Sequence, residues 1–364
     1  MNLLFVSESR GWSGGANQML LTAKELSARG HKVFFALPEG EIRSRAEAAG
    51  FDCRPINIRQ DYDLPSAFAV KKIAGQTQAD IVHAHHPQAH AVCLAARYFG
   101  MAAPLIVTRR VIFPLRANPF SALKYRSSRV SRYIAVCNAA KAELVKGGVA
   151  AERVEVIPSA VDISKYAAAR QKRAALEMKP PFRVGLIGHY AWFKGHDYLL
   201  RAAQEIVARF PGTKFVFAGR DTEKLKPIAE EYCVEKNVEI LGERRDVPDI
   251  LAGLHVFAMP SLQEGIATAL IEAQSAGVPS VATRIGGIPD VMLADQTGLM
   301  VPEKDSHSLA QAIMRYFSEP ELAAQMAQRG YERVQANFDL PAVCSRLETL
   351  YMSTAAPKAV RTTP

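Results

Sequence analysis

Residues 261–272 read Ser-Leu-Gln-Glu-Gly-Ile-Ala-Thr-Ala-Leu-Ile-Glu, which places two carboxylates, Glu264 and Glu272, eight positions apart. The spacing of apolar residues predicts a helix over 268–276, with Gly277 as its C-terminal stop. Glu264 then lies on a loop, and the helix begins just after Gly265. Because free N–H groups at the start of a helix attract anions, this stretch suits a ligand with both hydroxyls and a diphosphate.

The sequence around the two glutamates is more specific than their spacing alone. It continues with Gly-Val-Pro-Ser-Val-Ala at 277–282, Gly-Gly-Ile-Pro-Asp at 286–290 and Thr-Gly at 297–298. This order resembles the donor-binding half of glycosyltransferase family 4, a group of retaining enzymes with a Glu-x7-Glu signature. The resemblance implies the GT-B fold, in which two Rossmann-like, doubly wound α/β domains face a central cleft and a C-terminal helix crosses back to the first domain.

The domain boundaries follow from the pattern of strands and helices. Short apolar strands alternate with amphipathic helices in both halves of the 364-residue chain, which predicts two parallel sheets covered by helices. We expect an N-terminal acceptor-binding domain at 1–165, and the polar, alanine-rich residues 166–181 suit a linker. A nucleotide-sugar-binding domain at 182–337, a returning helix at 338–353 and a tail at 354–364 complete the chain.

A glycine-rich turn follows the first predicted strand. Residues 11–16 read Gly-Trp-Ser-Gly-Gly-Ala and lead into a helix, so a phosphate or sugar can approach backbone N–H groups closely. In the family this first loop contacts the phosphates of the donor. The resemblance further implies that Glu264 holds donor sugar hydroxyls, that Glu272 holds the ribose and that Arg244 lies on the loop beside the base. The expected donor-binding residues are Gly14, Gly15, Ala16, His189, Lys194, Arg244, Glu264, Gly265, Ile266, Ala267, Thr268 and Glu272.

Two positions depart from the family pattern, and both concern charge. His189 stands where many members have an arginine that neutralises the leaving diphosphate, so half of the expected charge depends on pH. Arg110 stands after the fifth strand, where many members have a histidine near the scissile bond, while Lys194 is retained. Lys194, Glu264 and Arg110 are therefore the expected catalytic residues. Either Arg110 or another basic residue replaces the missing charge, or the enzyme is slow or inactive.

Two groups of residues raise the alternative of a metal site. Asp61-Tyr62-Asp63 has the Asp-x-Asp form of metal-dependent sugar transferases, but its polar surroundings favour a solvated loop. Histidines at 83, 85, 86 and 90 lack a nearby set of acids or cysteines. We instead expect His83, His85, Arg109 and Arg110 to contact the acceptor. No metal or other cofactor is expected, and the nucleotide sugar is a co-substrate.

The formal charge of +9 is concentrated in one segment, from Ile81 to Ala142, which contains no Asp or Glu. Its nine basic residues are Arg97, Arg109, Arg110, Arg116, Lys124, Arg126, Arg129, Arg132 and Lys141. Such a segment favours nucleic acid, phosphate groups or an anionic membrane. Nucleic-acid-binding signatures are absent from the sequence, so we expect a membrane surface, with Phe113, Leu115 and Phe120 entering the lipid interface. Alternatively, these apolar side chains pack under the sheet and the arginines only provide solubility.

The sequence thus predicts a metal-independent transferase of hexosyl or other glycosyl groups. Its donor is a nucleoside-diphosphate sugar, and its acceptor is a hydroxyl of a lipopolysaccharide core or another cell-envelope glycolipid or polysaccharide. Five widely separated cysteines indicate reduced thiols, and hence a cytoplasmic protein at the inner face of the membrane. A nucleotide-sugar epimerase of the same fold and a catalytically weak nucleotide-sugar-binding protein remain as alternatives.

Overall fold

The computed structural model describes residues 1–115 and 119–355, the side chains of 119–121 excepted. The chain divides into two compact units. Met1–Ala160 and the chain from Leu340 onwards form the first unit, and Val161–Asp339 form the second.

The first unit contains a seven-stranded sheet in the order β3-β2-β1-β4-β5-β6-β7, with every neighbouring pair parallel. The strands are β1 (Asn2–Val6), β2 (Lys32–Leu37), β3 (Asp52–Pro55), β4 (Ile81–Ala84), β5 (Leu105–Arg109), β6 (Val130–Ala135) and β7 (Val154–Val156). The helices between them are α1 (Gly14–Ala28), α2 (Glu41–Ala48), α3 (Leu64–Gln76), α4 (Pro87–Tyr98), α5 (Pro119–Arg126) and α6 (Asn138–Lys146).

The second unit contains a six-stranded parallel sheet in the order β10-β9-β8-β11-β12-β13. The strands are β8 (Arg183–Ile187), β9 (Lys214–Ala218), β10 (Val238–Gly242), β11 (Val256–Met259), β12 (Ser280–Thr283) and β13 (Leu299–Val301). The helices are α7 (Ala167–Ala174), α8 (His196–Arg209), α9 (Lys226–Glu231), α10 (Val247–Ala252), α11 (Thr268–Ser275), α12 (Ile288–Val291), α13 (Ser306–Ser318) and α14 (Pro320–Phe338).

Helices cover both faces of the second sheet. Phe215 and Phe217 of β9 pack into a core formed with α8 and α13, whereas Val216 between them packs into a core with α11 and α14. Strands buried on both faces are continuous apolar runs, which is the pattern that predicted a parallel α/β fold. The structure confirms that prediction.

The last helix, α15 (Leu340–Thr354), belongs to the first unit. Its apolar residues Val343, Leu347 and Tyr351 are buried in the same core as α1. Arg29, just after α1, donates to the Pro341 carbonyl oxygen at 2.7 Å and pairs with Glu348 at 3.1 Å. The predicted return of the C-terminal helix to the first domain is therefore confirmed.

The structure differs from the prediction at the expected linker, residues 166–181. This segment is part of the second unit, and Tyr166, Ala169 and Arg173 are buried there. Alanines next to long basic side chains suggest an exposed linker, but arginine stems can cover apolar surface while the guanidinium reaches polar groups. Within the described residues, no helix is long and apolar enough to cross a membrane.

Candidate functional site

The carboxyl ends of β8 and β11 are neighbours in the second sheet, at the point where the strand order reverses. Open parallel sheets bind ligands outside such a point, because the loops after the two strands diverge there. The loop after β8 contains His189 and Lys194, and the loop after β11 contains Glu264. The fold therefore brings three of the predicted site residues to one edge of the sheet.

Lys194 and Glu264 form an ion pair across these two loops. Lys194 Nζ lies 2.6 Å from Glu264 Oε2, and only 18% and 11% of the two side chains are exposed. Backbone bonds join the loops further, since Leu262 N donates to the Phe193 carbonyl oxygen at 2.7 Å. A short, shielded ion pair is more constrained than a pair on the open surface. The cation and the carboxylate predicted for the donor are thus already held in place.

Gly195 permits this close approach of the two loops. Its φ of +74° lies in the left-handed region, and a Cβ placed there would be 1.8 Å from the Pro260 carbonyl oxygen. Any side chain would meet both backbone strain and the loop after β11. Glycine at 195 therefore fixes the position of the preceding Lys194.

The helix predicted after Gly265 is α11, which begins at Thr268 as expected and ends at Ser275. Ala267 precedes it and has no side-chain acceptor for the first-turn amides. Thr268 N donates to the Ile266 carbonyl oxygen at 2.9 Å, and Leu270 N donates to the Ala267 carbonyl oxygen at 3.0 Å. The positive end of the helix dipole still favours an anion at this helix start. Gly265 and Ile266 lie in the half-buried loop that joins Glu264 to this helix start.

Glu272 lies on the second turn of α11 and is half-buried. Burial raises the pKa of its carboxyl to about 7, and a hydrogen bond from Tyr166 partly opposes this rise. The carboxyl is therefore partly protonated at neutral pH. Tyr166 was not predicted as a site residue, because it falls in the expected linker.

Burial and then the nearby cations Lys194 and Arg220 lower the pKa of the His189 imidazole. His189 therefore carries less positive charge than the arginine that it replaces. Arg220 follows β9, the strand beside β8, and its side chain is exposed. Arg220 was not predicted as a site residue. It lies near this site because β9 is next to β8, and the order of the strands in a sheet is not evident from the sequence.

Arg244 lies after β10, the edge strand of the second sheet, and is separated from β8 by β9. Its guanidinium donates two bonds to Asp246, at 2.8 and 2.6 Å, and is exposed. The structure does not bring Arg244 together with Lys194 and Glu264. Its proposed contact with the base stays a prediction.

The first unit has its own reversal point, between β1 and β4. Ser7 Oγ and His86 Nδ1 are 2.7 Å apart across it. A Cβ placed on Gly15 would lie 3.4 Å from both His86 Nε2 and Arg110 Cδ. The predicted loop residues Gly14, Gly15 and Ala16 form the first turn of α1, where Ser13 Oγ accepts from Ala16 N. His86 was not among the predicted site residues. Its position at this reversal point follows from the order of the strands, because His86 lies in the loop that follows β4.

Arg110 is a half-buried cation without an acidic partner among the residues that the structure describes. Its Nη2 lies 3.5 Å from His85 Nδ1, and its Nε is buried without a hydrogen-bond partner there. Burial lowers the pKa of the guanidinium to about 10, so it stays charged at neutral pH. Beside Gly15 and His86, it provides positive charge for an anionic group.

The structure places His83 and Arg109 in the interior of the first unit, and their predicted contact with the acceptor stays a prediction. His83 is buried, with Nδ1 2.7 Å from Tyr351 Oη and Nε2 2.6 Å from Thr108 Oγ1. Burial lowers the pKa of His83 to about 3. Arg109 is also buried, and it donates to Tyr125 Oη at 3.2 Å and to the Phe113 carbonyl oxygen. The hydrogen bonds of both side chains go to groups of the first unit itself, and Arg109 Nε is buried without a partner in the described part of the chain.

His85 is also buried, and burial lowers the pKa of its ring. It lies behind Arg110 and contacts that guanidinium with Nδ1. Of the four predicted acceptor-binding residues, Arg110 is the one that the structure leaves accessible. His85 can act only through it.

The acid-free segment is partly used inside the first unit. Lys124 is mostly buried and pairs with Asp61 at 3.1 Å. Leu115 packs against Gly147 so closely that a Cβ there would clash with it, which corrects its predicted place in the lipid interface. Phe113 and Leu123 are 53% and 67% exposed. Arg116 and the side chain of Phe120 lie outside the described residues.

The residues that suggested a metal have structural partners. Asp61 pairs with Lys124, and Asp63 caps α3 by accepting from Ser66 N at 3.1 Å. In the part of the chain that the structure describes, no group of three or more His, Cys, Asp or Glu residues is placed to hold a metal ion.

Comparison with protein families matches each half of the chain to a glycosyltransferase family model. The model for glycosyltransferase family 4 matches residues 12–165, and the model for glycosyl transferases group 1 matches residues 168–333. The chain belongs to glycosyltransferase family 4. It is thus a glycosyltransferase of the GT-B type.

Individual relatives of this family 4 protein are distant. It is 26% identical to the UDP-Gal:alpha-D-GlcNAc-diphosphoundecaprenol alpha-1,3-galactosyltransferase of Escherichia coli, over 82% of this chain and 81% of that one. It is 28% identical to the gpi3 subunit of phosphatidylinositol N-acetylglucosaminyltransferase of Schizosaccharomyces pombe, over 66% of this chain but 52% of that relative. The crystal structure of Anabaena HepE in complex with UDP has a TM-score of 0.85 and 20% identity, covering 97% of this chain and 100% of HepE.

Proposed function

We propose that this family 4 protein is a retaining glycosyltransferase that moves a sugar from a nucleoside-diphosphate sugar to a hydroxyl of a cell-envelope acceptor. The observation that carries the proposal is the preformed Lys194–Glu264 pair beside the uncapped start of α11. An ammonium, a carboxylate and the positive end of a helix complement a diphosphate joined to a sugar. The UDP named in the HepE structure supports a nucleotide as the donor's leaving group.

The proposed reaction breaks the bond between the anomeric carbon and a diphosphate oxygen, and forms a bond from that carbon to the acceptor oxygen on the same face. The acceptor hydroxyl gives its proton to the departing diphosphate oxygen, so the atoms and charges balance. The diphosphate gains negative charge in the transition state, which Lys194 and the positive end of α11 stabilise. The proposal assigns this work to protein groups and not to a metal ion.

The two carboxylates have separate roles in this proposal. Glu264 exchanges its bond with Lys194 for hydroxyls of the donor sugar, while Lys194 turns to the diphosphate. Glu272 accepts hydrogen bonds from the ribose hydroxyls. Arg220 supplies positive charge near Lys194, because the lowered pKa of His189 leaves it with less charge than an arginine would have. Arg110, in the first unit, supplies positive charge for an anionic group at that unit's own reversal point.

The acceptor is proposed to be a glycolipid or polysaccharide of the cell envelope. The printed name of the Escherichia coli relative, with its diphosphoundecaprenol acceptor, supports a lipid-linked glycan. Phe113 and Leu123 are exposed close in sequence to the exposed Arg126 and Arg129. Apolar and basic side chains together suit an anionic membrane. We therefore propose a peripheral protein at the inner face of the membrane.

The test is a calorimetric screen of nucleoside-diphosphate sugars, followed by turnover with the best donor and lipid-linked glycans. We expect donor binding that is weakened at least tenfold by Glu264→Gln, and a product whose anomeric configuration, read by NMR, matches that of the donor. Glu223→Gln, on an exposed turn after β9, is the control. An inverted product would refute retention. Conversion of the donor into an isomer without acceptor would identify an epimerase, and binding without turnover a binding protein.

A further inference from the structure

A cavity of about 850 Å³ lies in the second unit, at the edge of the sheet opposite Lys194 and Glu264. It is formed by α7, the turn after α11 and the first half of α14. Pro279 in its wall immediately precedes β12, whereas Glu264 follows the end of β11. Because β11 and β12 are parallel, the cavity lies at the amino ends of the strands. It is separate from the proposed donor site.

The cavity wall is apolar and contains no acid. Its apolar part consists mainly of small side chains, together with Leu176 and Met178. The charged residues in the wall are Arg170 and Arg173. A volume between roughly 300 and 1,000 Å³ with few polar groups is typical of sites for small molecules. The composition predicts a ligand with an apolar body and a negative charge.

Arg173 is a buried cation whose charge is not balanced. It is 8% exposed, and it donates to the carbonyl oxygens of Leu176 at 3.0 Å and His255 at 3.3 Å. Its Nε is buried without a hydrogen-bond partner in the described part of the chain, and no ion pair there includes it. A buried charge without a counter-ion is costly. An anion in the cavity would supply the missing charge.

Arg170 presents a second guanidinium at the same cavity. It lies over the Tyr331 ring at 3.7 Å and donates to Gln328 Oε1 at 2.9 Å. Its stem packs beside Gly277, where a Cβ would be 3.4 Å from Arg170 Cγ. The guanidinium is therefore held in position before any ligand binds, which lowers the entropy that binding costs.

We propose that this cavity binds a small amphipathic anion, with a phosphate or carboxylate head at Arg170 and Arg173 and an aliphatic body along the apolar wall. The head satisfies the unbalanced charge, and the body covers the alanines, Leu176 and Met178. The proposal does not depend on the glycosyltransferase activity, because the cavity shares no residue with the proposed donor site.

The first experiment measures binding to the full chain by calorimetry, below the micelle concentration of each probe. The probes are decyl phosphate, decanoate, inorganic phosphate and decyl maltoside. We expect decyl phosphate or decanoate to bind at least tenfold more tightly than both of the others. The better of these two identifies the head group. Equal binding of decyl maltoside would overturn the proposal, because the arginines would then play no part, and so would absence of binding by both anionic probes.

Variants then locate the bound probe. Arg170→Gln and Ala327→Trp, which fills the cavity, are expected to weaken binding at least tenfold. Arg201→Gln is the matched control, because Arg201 also lies over a tyrosine ring, Tyr232, at 5.6 Å. Circular dichroism confirms folding of each variant. Binding within twofold of wild type in both cavity variants would overturn the proposal. Nucleotide-sugar affinity should be unchanged in both; a parallel loss of it would place the probe at the donor site and also overturn the proposal.

Discussion

Lys194 and Glu264 neutralise each other in the free protein across 2.6 Å. A donor must replace this ion pair with its own diphosphate and hydroxyls, so that part of its binding energy is spent on separating the two side chains. The cation that is released then meets charge that grows as the anomeric bond breaks. An interaction that strengthens in the transition state changes kcat more than it changes KM.

We therefore predict that Lys194→Ala lowers kcat by about 10²–10³-fold, the range seen when one group that stabilises transition-state charge is removed. KM should rise by a smaller factor, because ground-state binding loses less. Steady-state kinetics with saturating acceptor measure both values. Lys224→Ala is the control, since Lys224 forms an exposed ion pair with Asp221. A change in KM alone would show that Lys194 serves binding and not the chemical step.

Glu272 gives a prediction on pH. Its carboxyl has a pKa of about 7 in the folded protein, against an ordinary value of 4.5. Between these values the folded state keeps a proton that the unfolded state has released, so stability falls as pH rises through this window. Glu272→Gln removes the effect. Urea titrations measure the unfolding free energy of the variant and of the wild type at each pH. We expect the difference, variant minus wild type, to increase by about 1–2 kcal/mol between pH 5 and pH 8.

The same protonation acts on the donor. In the proposed site the charged carboxylate accepts both ribose hydroxyls, so donor affinity should fall about tenfold when pH drops one unit below the pKa. Calorimetry of wild type at pH 8 and pH 6 measures this fall, and Glu272→Gln should bind weakly with little pH dependence. Equal slopes for the two proteins would mean that another group controls the titration.

At the scale of elements, the turn between β8 and α8 depends on Gly195. Gly195→Ala places a methyl group against the Pro260 carbonyl oxygen in a left-handed conformation. We expect it to lower the unfolding free energy by about 2–4 kcal/mol, because a backbone atom cannot move aside cheaply. Gly188→Ala, in the same loop, is the control, since a Cβ there meets nothing within 4 Å. Urea denaturation that shows similar losses for both would contradict this account.

The sequence predicted elements better than it predicted which side chains are accessible. The alternation of apolar strands and amphipathic helices predicted two parallel sheets, because buried apolar runs between turns are local signals. The start of α11 at Thr268 was predicted for the same reason.

The burial of His83 and Arg109 was not predicted from the sequence. Successive side chains at the end of a strand point to opposite faces of the sheet, which suggests that one is in solvent and the next is in the core. When helices cover both faces of a parallel sheet, the side chains on both faces are buried. His86 and Arg220 escaped prediction because their neighbours are set by strand order, which a single strand does not encode. Tertiary topology, and not local pattern, decides these parts of the site.

At the scale of the whole molecule, the excess of nine positive charges is less exposed than its concentration in one segment suggests. Arg97 donates to the carbonyl oxygens of Met101 and Ala102, Arg109 is buried and Lys124 is paired with Asp61. Arg126 and Arg129 remain exposed, near Leu123 on α5. Within the part of this segment that the structure describes, a membrane-binding surface would use these two charges together with Phe113 and Leu123.

We predict that the protein sediments with vesicles containing anionic lipid more than with neutral ones, and that added salt weakens this binding, because exposed charges are screened within about 8 Å at physiological ionic strength. Arg126→Glu/Arg129→Glu should reduce binding at least tenfold, since each basic residue near an anionic surface contributes about 1 kcal/mol. The control is Lys24→Glu/Lys32→Glu, which makes the same change of charge at two exposed lysines elsewhere in the first unit. This control should bind the anionic vesicles more tightly than the arginine variant does. Phe113→Ser/Leu123→Ser should weaken the binding that persists in high salt. If both charge variants bind alike, the attraction depends on net charge and this surface does not dock the protein.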